Sequence, residues 1–254
     1  MKRPISIQLY TLRERADADK GNDLAGVLRD IADAGYKAVE TAGLCGRSAA
    51  EFRKMLDDVG LVASSGHMPL AVRENVNETV DIAKTLGYKY CITGYGPDEF
   101  ASVDAIKAAA GKFQAGAELL KPFGLEQGYH NHWWEFNLVE GRYGYNRFFE
   151  LCPDAFSELD VYWCCNFNRV DVPAIVKAHK KIIKLLHIKD GPLVESQPHT
   201  AVGSGKMNIP AIVKAAGKDT EWLVVELDAC ATDMTQAMRE SFKYMKKARL
   251  GVGR

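Results

Sequence analysis

The sequence predicts an α/β protein built as a single (β/α)8 TIM barrel over residues 1–254. Three observations carry that expectation. Short apolar runs of strand length alternate with segments of helical spacing in eight units, no linker-like stretch divides the chain, and the length suits one barrel of about 250 residues. The competing doubly wound sheet calls for a Gly-rich phosphate turn after the first strand. Here that strand runs into Tyr10-Thr11-Leu12-Arg13, with neither a GxGxxG nor a P-loop motif.

In chain order, the first strand is expected at residues 5–10. After the polar link Asp17-Ala18-Asp19, apolar side chains recur at Leu24, Val27, Leu28, Ile31 and Ala32, a helical spacing that Gly35 stops. A second strand at 36–40 leads to Ser48, a helix-capping residue, and to a helix carrying Phe52, Met55, Leu56 and Val59 before Gly60. The third strand, 61–65, opens into Gly66-His67-Met68-Pro69, and a helix over 76–86 ends at Gly87. The fourth strand, 88–93, opens into Gly94-Tyr95-Gly96-Pro97 and is followed by an Ala-rich helix over 102–120. The fifth begins after the Pro-Phe-Gly breaker at 122–124. A helix at 145–151, a sixth strand at 157–162 and a helix at 172–179 entered through Pro173 come next. A seventh strand at 183–188, a polar loop to residue 207, a helix at 209–216, an eighth strand at 221–227 and a closing helix at 235–250 complete the pattern.

With 47% hydrophobic residues the chain can bury a full core, and no apolar run approaches the roughly 18 residues of a membrane span. Lysine plus arginine equals aspartate plus glutamate at 33 each, so no global positive field recruits nucleic acid. The expected partner is a small molecule, with no nucleic acid and no membrane; homo-oligomerisation is left open. The six cysteines contain no CxxC pair and read as reduced thiols of a cytoplasmic protein, a trimmed secretion leader being the alternative. The adjacent Cys164 and Cys165 read as small hydrophobes beneath a site.

The densest group of reactive side chains is Gly128-Tyr129-His130-Asn131-His132-Trp133-Trp134-Glu135-Phe136, at or just beyond the fifth strand's C-terminal end. In a parallel α/β barrel that end carries the ligand site. Other strands end near Glu40, His67, Asp160, His187 and Glu226, so these side chains face His130 across the barrel top. Burying such charges unpaired costs several kcal/mol, and a divalent cation removes the cost.

The runs Ile5-Ser6-Ile7-Gln8-Leu9-Tyr10-Thr11-Leu12-Arg13, Tyr129-His130-Asn131-His132, Leu159-Asp160-Val161-Tyr162-Trp163, His187-Ile188-Lys189-Asp190, Gly203-Ser204-Gly205 and Val225-Glu226-Leu227-Asp228 resemble the xylose-isomerase-like sugar phosphate isomerase/epimerase superfamily. The likeness covers nearly the whole chain and specifies the superfamily rather than the substrate, because this barrel serves epimerases, dehydratases, lyases and abasic-site endonucleases. It implies one divalent metal held at the ends of strands five to eight by His130, Asp160, His187 and Glu226. Many relatives place Glu where this chain has His130, which leaves His132 or Glu135 as alternatives for the first ligand. Two imidazoles with two carboxylates favour Mn2+, Co2+ or Zn2+, with Mg2+ the weaker alternative.

The implied function is a divalent-metal-dependent carbohydrate isomerase or epimerase that abstracts a proton next to a metal-bound carbonyl. A lyase or dehydratase acting on a keto-sugar, keto-glycoside or inosose uses the same chemistry, and a non-catalytic sugar-binding barrel is the reading from another class. Glu135, His132 and Glu226 are the expected bases, and Lys189 the group that stabilises an oxyanion or protonates a leaving group. Glu40, His67, Trp133 and Tyr10 are the expected substrate contacts; if the chain stays extended, only one of Trp133 and Trp134 faces the sugar. The Pro- and Ser-rich loop over 191–205 is expected to act as a lid.

Overall fold

The computed structural model describes residues 2–254. Eight parallel strands, β1 (Arg3–Gln8), β2 (Ala38–Ala42), β3 (Val62–His67), β4 (Tyr90–Thr93), β5 (Glu126–His130), β6 (Phe156–Asp160), β7 (Ile183–Ile188) and β8 (Trp222–Val225), pair in sequence order. The sheet closes where β8 returns to β1, with Ile5 opposite Leu223 and Ile7 opposite Val225. This is the (β/α)8 barrel that the alternation predicts. Helices α1 (Leu24–Ala34), α2 (Ala49–Val59), α3 (Val76–Leu86), α4 (Val103–Leu120), α5 (Gly144–Leu151), α6 (Val172–His179), α7 (Ile209–Ala215) and α8 (Met234–Lys247) surround it.

The helices start and stop where the local chemistry directs. Ser48 and Glu51 form a reciprocal capping box at the start of α2, and Asp23 caps α1 through the Gly26 amide. Gly35, Gly60 and Gly87 end α1, α2 and α3 with φ of 102°, 68° and 82°, a left-handed conformation that side chains resist. Each amphipathic face packs on the barrel; α1 buries Leu24, Val27, Leu28 and Ile31 completely, at about 1.5–3 kcal/mol for each large aliphatic side chain. Between β5 and its flanking helices lies an aromatic layer, in which Tyr129 meets Phe148 at 4.5 Å and Phe113 at 5.4 Å between ring centroids.

Inside the barrel the early part of the strands forms an apolar plug of Tyr90, Ile92, Phe156 and Leu185, with Trp222 against it. Gly128 belongs to this packing: a Cβ there would lie 2.4 Å from the Phe156 ring and 2.6 Å from Ile92 Cδ1, so β5 can pass only as glycine. Two residues further along the strands the interior turns polar, at His130, Glu158 and His187. The plug therefore closes the barrel below a cluster at the strands' C-terminal ends.

Several boundaries differ from the sequence expectation. β1 begins at Arg3 because the chain's end, Gly251–Val252, adds a short parallel strand beside Arg3 and Pro4. It ends at Gln8, whose side chain accepts the Tyr10 amide and starts a 3-10 turn over Leu9–Leu12. β6 stops at Asp160 because Asp160 Oδ1 accepts the amides of Tyr162 and Trp163, both at 2.9 Å, and caps a helical turn over Val161–Cys164. A hairpin of Leu138–Val139 with Arg142–Tyr143 precedes α5 and was not foreseen. Cys164 and Cys165 lie in the hydrophobic core, and all six cysteines are free. Among the described residues no helix is long and apolar enough to cross a membrane.

Candidate functional site

Strand alternation decides which side chains enter the polar cluster. Gln8, Glu40, His67, His130, Glu158, Asp160, His187 and Glu226 converge from seven of the eight strands or their immediate ends, linked by the contacts described below. One ligand atom each from His130, Asp160, His187 and Glu226 lies within 4.8 Å of the others, which brings together the four residues expected to hold a metal. His187 donates Nδ1–H to Glu226 Oε2 at 2.7 Å, and His130 Nε2 stands 3.1 Å from His187 Nδ1 and 3.5 Å from Asp160 Oδ2. A second group with the same closeness consists of Glu40, His67, Glu158 and His187.

Glu158 was not anticipated from the sequence. It is fully buried, and its Oε2 accepts from His67 Nε2 at 2.7 Å. The signal was present: Glu158 and Asp160 are two apart on one strand and so share the barrel's inner face. Gln8 was missed as well; it donates to Glu40 Oε1 at 2.7 Å, while Ser65 donates to the other oxygen of the same carboxylate.

Mutual pairing governs the protonation states. Burial opposes charge on every member, yet His187 and Lys189 hold Glu226 well below the usual carboxylate range, and His187 and His67 do the same for Glu40. Burial likewise lowers the basicity of His67 and His187, but the carboxylates beside them overturn it, taking His67 up to about 10 and His187 well above its ordinary value. His67 and His187 are therefore imidazolium groups when only protons neutralise the site. Glu158 Oε1 is buried without a partner, and Asp160 Oδ2 is buried with no directed hydrogen bond, facing only the Lys189 ammonium at 2.9 Å and His130 Nε2 at 3.5 Å. Buried carboxylate oxygens left over in a nest of imidazoles are what a divalent cation satisfies, so the residues present fit a metal.

Lys189 lies behind the cluster rather than in the cavity. Its ammonium is buried, donates to Asp228 Oδ2 at 2.8 Å, and stands 2.8 Å from Glu226 Oε2 and 2.9 Å from Asp160 Oδ2. Burial alone would lower its pKa; Asp160, Asp228 and Glu226 drive it well up, so it is a fixed positive charge.

A cavity of about 640 Å3 opens above these groups, walled by Tyr10, Tyr95 and Trp134 and reached by His67, His132 and Glu226. Tyr10, expected at the end of a strand, reaches it from the 3-10 turn and is 43% exposed. Trp134, not Trp133, lines the cavity and stacks on His132 at 4.3 Å, whereas Trp133 packs toward Phe167 at 6.0 Å. His132 is held neutral, down at about 3, chiefly by burial and then by its neighbours His130 and Lys189. Glu135 is fully buried away from the cavity lining, where Tyr129 donates to Oε1 at 2.7 Å and the His132 amide to Oε2 at 2.9 Å. It closes the turn that presents His132 and Trp134.

The loop over 191–205 is pinned at its base. Asp190 accepts four backbone amides, with Oδ1 taking Gly191 and Met207 and Oδ2 taking Gly203 and Gly205. A Cβ at position 205 would fall 2.1 Å from Asp190 Oδ1, so the wrap requires glycine there. His199 is buried in the loop's middle and pairs backbone groups with Ala229 and Ala231, leaving residues 195–198 exposed.

Comparison with known proteins agrees with the fold. The model of the xylose isomerase-like TIM barrel family matches residues 28–248. The chain belongs to that family. No curated protein matches the sequence. A solved sugar phosphate isomerase/epimerase from Parabacteroides distasonis ATCC 8503 is 26% identical over 98% of this chain and 96% of its own, with a TM-score of 0.81. An L-ribulose 3-epimerase, at 18% identity, covers 98% of this chain and 96% of its own with a TM-score of 0.71. A D-allulose 3-epimerase from Methylomonas sp. is 16% identical over 98% of this chain and 99% of its own, with a TM-score of 0.73. The last two share the fold with this chain, and their substrates are their own.

Proposed function

We propose that the protein is a divalent-metal-dependent carbohydrate isomerase or epimerase that removes a proton from a carbon next to a carbonyl. The observation that carries this reading is the placement of a buried imidazole–carboxylate cluster with unsatisfied oxygens at the floor of an aromatic-walled cavity. His130, Asp160, His187 and Glu226 would hold the ion, and their mixed nitrogen and oxygen donors favour Mn2+, Co2+ or Zn2+ over Mg2+. When bound, such an ion withdraws electron density from a carbonyl and its neighbouring hydroxyl and acidifies the C–H between them.

The chain's own groups do the rest. Glu226 is held ionised by Lys189 and His187 and lines the cavity, so it is the carboxylate placed to take the proton. His132, neutral and lining the same cavity, is the second proton acceptor within reach of a sugar. His67 lines the cavity floor within reach of a bound sugar. The rings of Tyr10, Tyr95 and Trp134 offer the apolar surfaces on which the C–H face of a sugar ring stacks, and they exclude water from the floor. Lys189 keeps Asp160 and Glu226 ionised without touching substrate. Returning the proton to the opposite face gives an epimer, and returning it to the neighbouring carbon an isomer.

The test is a panel of ketoses, inososes and 3-keto-glycosides offered to protein stripped by chelation and then reloaded with Mn2+, Co2+ or Zn2+. The proposal expects turnover of at least one ketose, lost on stripping and restored by metal. Release of an aglycone from a keto-glycoside, without ketose turnover, would move the assignment to a lyase. Equal turnover by stripped and loaded protein would end the metal-dependent reading.

A further inference from the structure

We propose that Glu40, His67, Glu158 and His187 form a second divalent-cation site, separate from the His130, Asp160, His187 and Glu226 set and joined to it by the His187 imidazole. The proposal rests on the metal set described above only through His187.

Both sets draw on β6 and β7 and differ in their other two strands. Glu40 and His67 come from β2 and β3, where the first set uses β5 and the end of β8, and Glu158 lies one inward-facing step deeper along β6 than Asp160. His187 turns one nitrogen to each set: Nδ1 meets Glu226 at 2.7 Å, while Nε2 meets Glu40 Oε1 at 2.6 Å and Glu158 Oε2 at 3.1 Å. His67 Nε2 completes the second set, 2.7 Å from Glu158 Oε2 and 3.2 Å from Glu40 Oε1. All four donor atoms lie within 4.8 Å of one another, two imidazole nitrogens and two carboxylate oxygens, the donor number and type of a closed tetrahedral site for Zn2+ or Co2+.

An independent observation points to a ligand. Glu158 is fully buried, and its remaining oxygen, Oε1, has no hydrogen-bond partner. The first set has a resident neutralising charge in Lys189, which lies beside Asp160 and Glu226. No lysine or arginine forms an ion pair with Glu40 or Glu158 among the described residues, and only imidazoles face them. Glu40 is held in place by Gln8 and Ser65, which donate to its two oxygens as partners of metal ligands do. His67 reaches the cavity, so an ion entering from solvent meets this set directly.

Co2+ is the probe, since both its absorption and its magnetism report the ligands. Chelator-stripped wild-type protein titrated with Co2+ is expected to bind two equivalents. Both Glu158→Gln and Asp160→Asn are expected to bind one, each retaining a different visible spectrum. The two-cobalt form is expected to show magnetic coupling through the shared imidazole, absent from either variant. Saturation of wild type at one equivalent, unchanged by Glu158→Gln and abolished by Asp160→Asn, would overturn the second site and leave the proposed function standing. One equivalent abolished by Glu158→Gln and retained by Asp160→Asn would overturn both the pair of sites and the metal set of the proposed function. Two equivalents in all three proteins would overturn the assignment of ligands.

Discussion

Glu135→Gln should make the protein's stability less sensitive to pH. Burial pushes the Glu135 carboxyl up to about 8, and the hydrogen bonds from Tyr129 and the His132 amide only partly oppose it. Its ordinary value is 4.5, so between pH 4.5 and about 8 the folded chain holds a proton that the unfolded chain has released. Stability contributed by this group is therefore complete below pH 4.5 and is lost as pH rises towards 8. At about 1.4 kcal/mol per pH unit, the loss attributable to Glu135 is bounded at about 5 kcal/mol. Glutamine copies the protonated acid: its oxygen can take the His132 amide and its NH2 can face the Tyr129 hydroxyl oxygen. Urea unfolding at pH 5, 6.5 and 8 should find the two proteins within about 1 kcal/mol at pH 5 and the variant more stable by about 3–5 kcal/mol at pH 8. Differencing the two proteins removes the titration of the histidines, which they share. A gap that stays constant over this range would refute the assigned protonation of Glu135. The same variant decides its role: a group that braces the turn permits activity within about 10-fold of wild type, whereas loss of a general base costs about 10²–10⁴-fold.

Asp160→Ala should lose the ion held with His130, His187 and Glu226 and lower kcat/KM by at least about 1,000-fold, and it should also cost about 1 kcal/mol by uncapping the Val161–Cys164 turn. Asp160→Asn should keep that cap and lose the same ion, binding one equivalent fewer than wild type, which metal analysis beside a melting curve would show. Lys189→Met leaves Asp160 and Glu226 without their ammonium and should destabilise the metal-free protein by about 3–5 kcal/mol. Added Zn2+ should recover part of that loss in a thermal melt, and a loss unaffected by metal would contradict the placement of Lys189 beside the metal ligands. Asp190→Ala frees four amides and should expose the 191–205 loop, so limited proteolysis should cut it at least about 10-fold faster than in wild type. Unchanged cleavage would mean that other contacts hold the loop.

The barrel was legible because its signals are local. Alternating apolar runs, Ser48 as a cap, and Gly35, Gly60 and Gly87 as stops each act within a few residues, and the structure realises all of them. Contacts between distant residues were not legible. The pairing of Gly251–Val252 with Arg3 and Pro4 moves the start of β1; the end of β6 is by contrast a local effect, Asp160 reaching forward to the Tyr162 and Trp163 amides. The cluster's outline follows from strand ends, whereas Glu158 lies two residues before the end of β6 and joins the cluster through period-two geometry, which sets it on the same face as Asp160. For the tryptophans the outcome came by another route: Trp134 begins a 3-10 turn, and that turn, rather than strand alternation, separates it from Trp133. Glu135 reads as a base in sequence because a carboxylate beside two histidines has the right chemistry; only the fold shows it directed at Tyr129.

The central claim is that a C–H bond beside a carbonyl is broken and its hydrogen exchanged with a group on the protein. Mass spectrometry of a turned-over ketose, after incubation with metal-loaded protein in D2O, tests that step alone. Incorporation of solvent deuterium at the reacting carbon, slowed at least about 100-fold by Glu226→Gln, is the predicted result. Complete conversion with no deuterium in the product would show that hydrogen moves directly between carbons and would contradict the account.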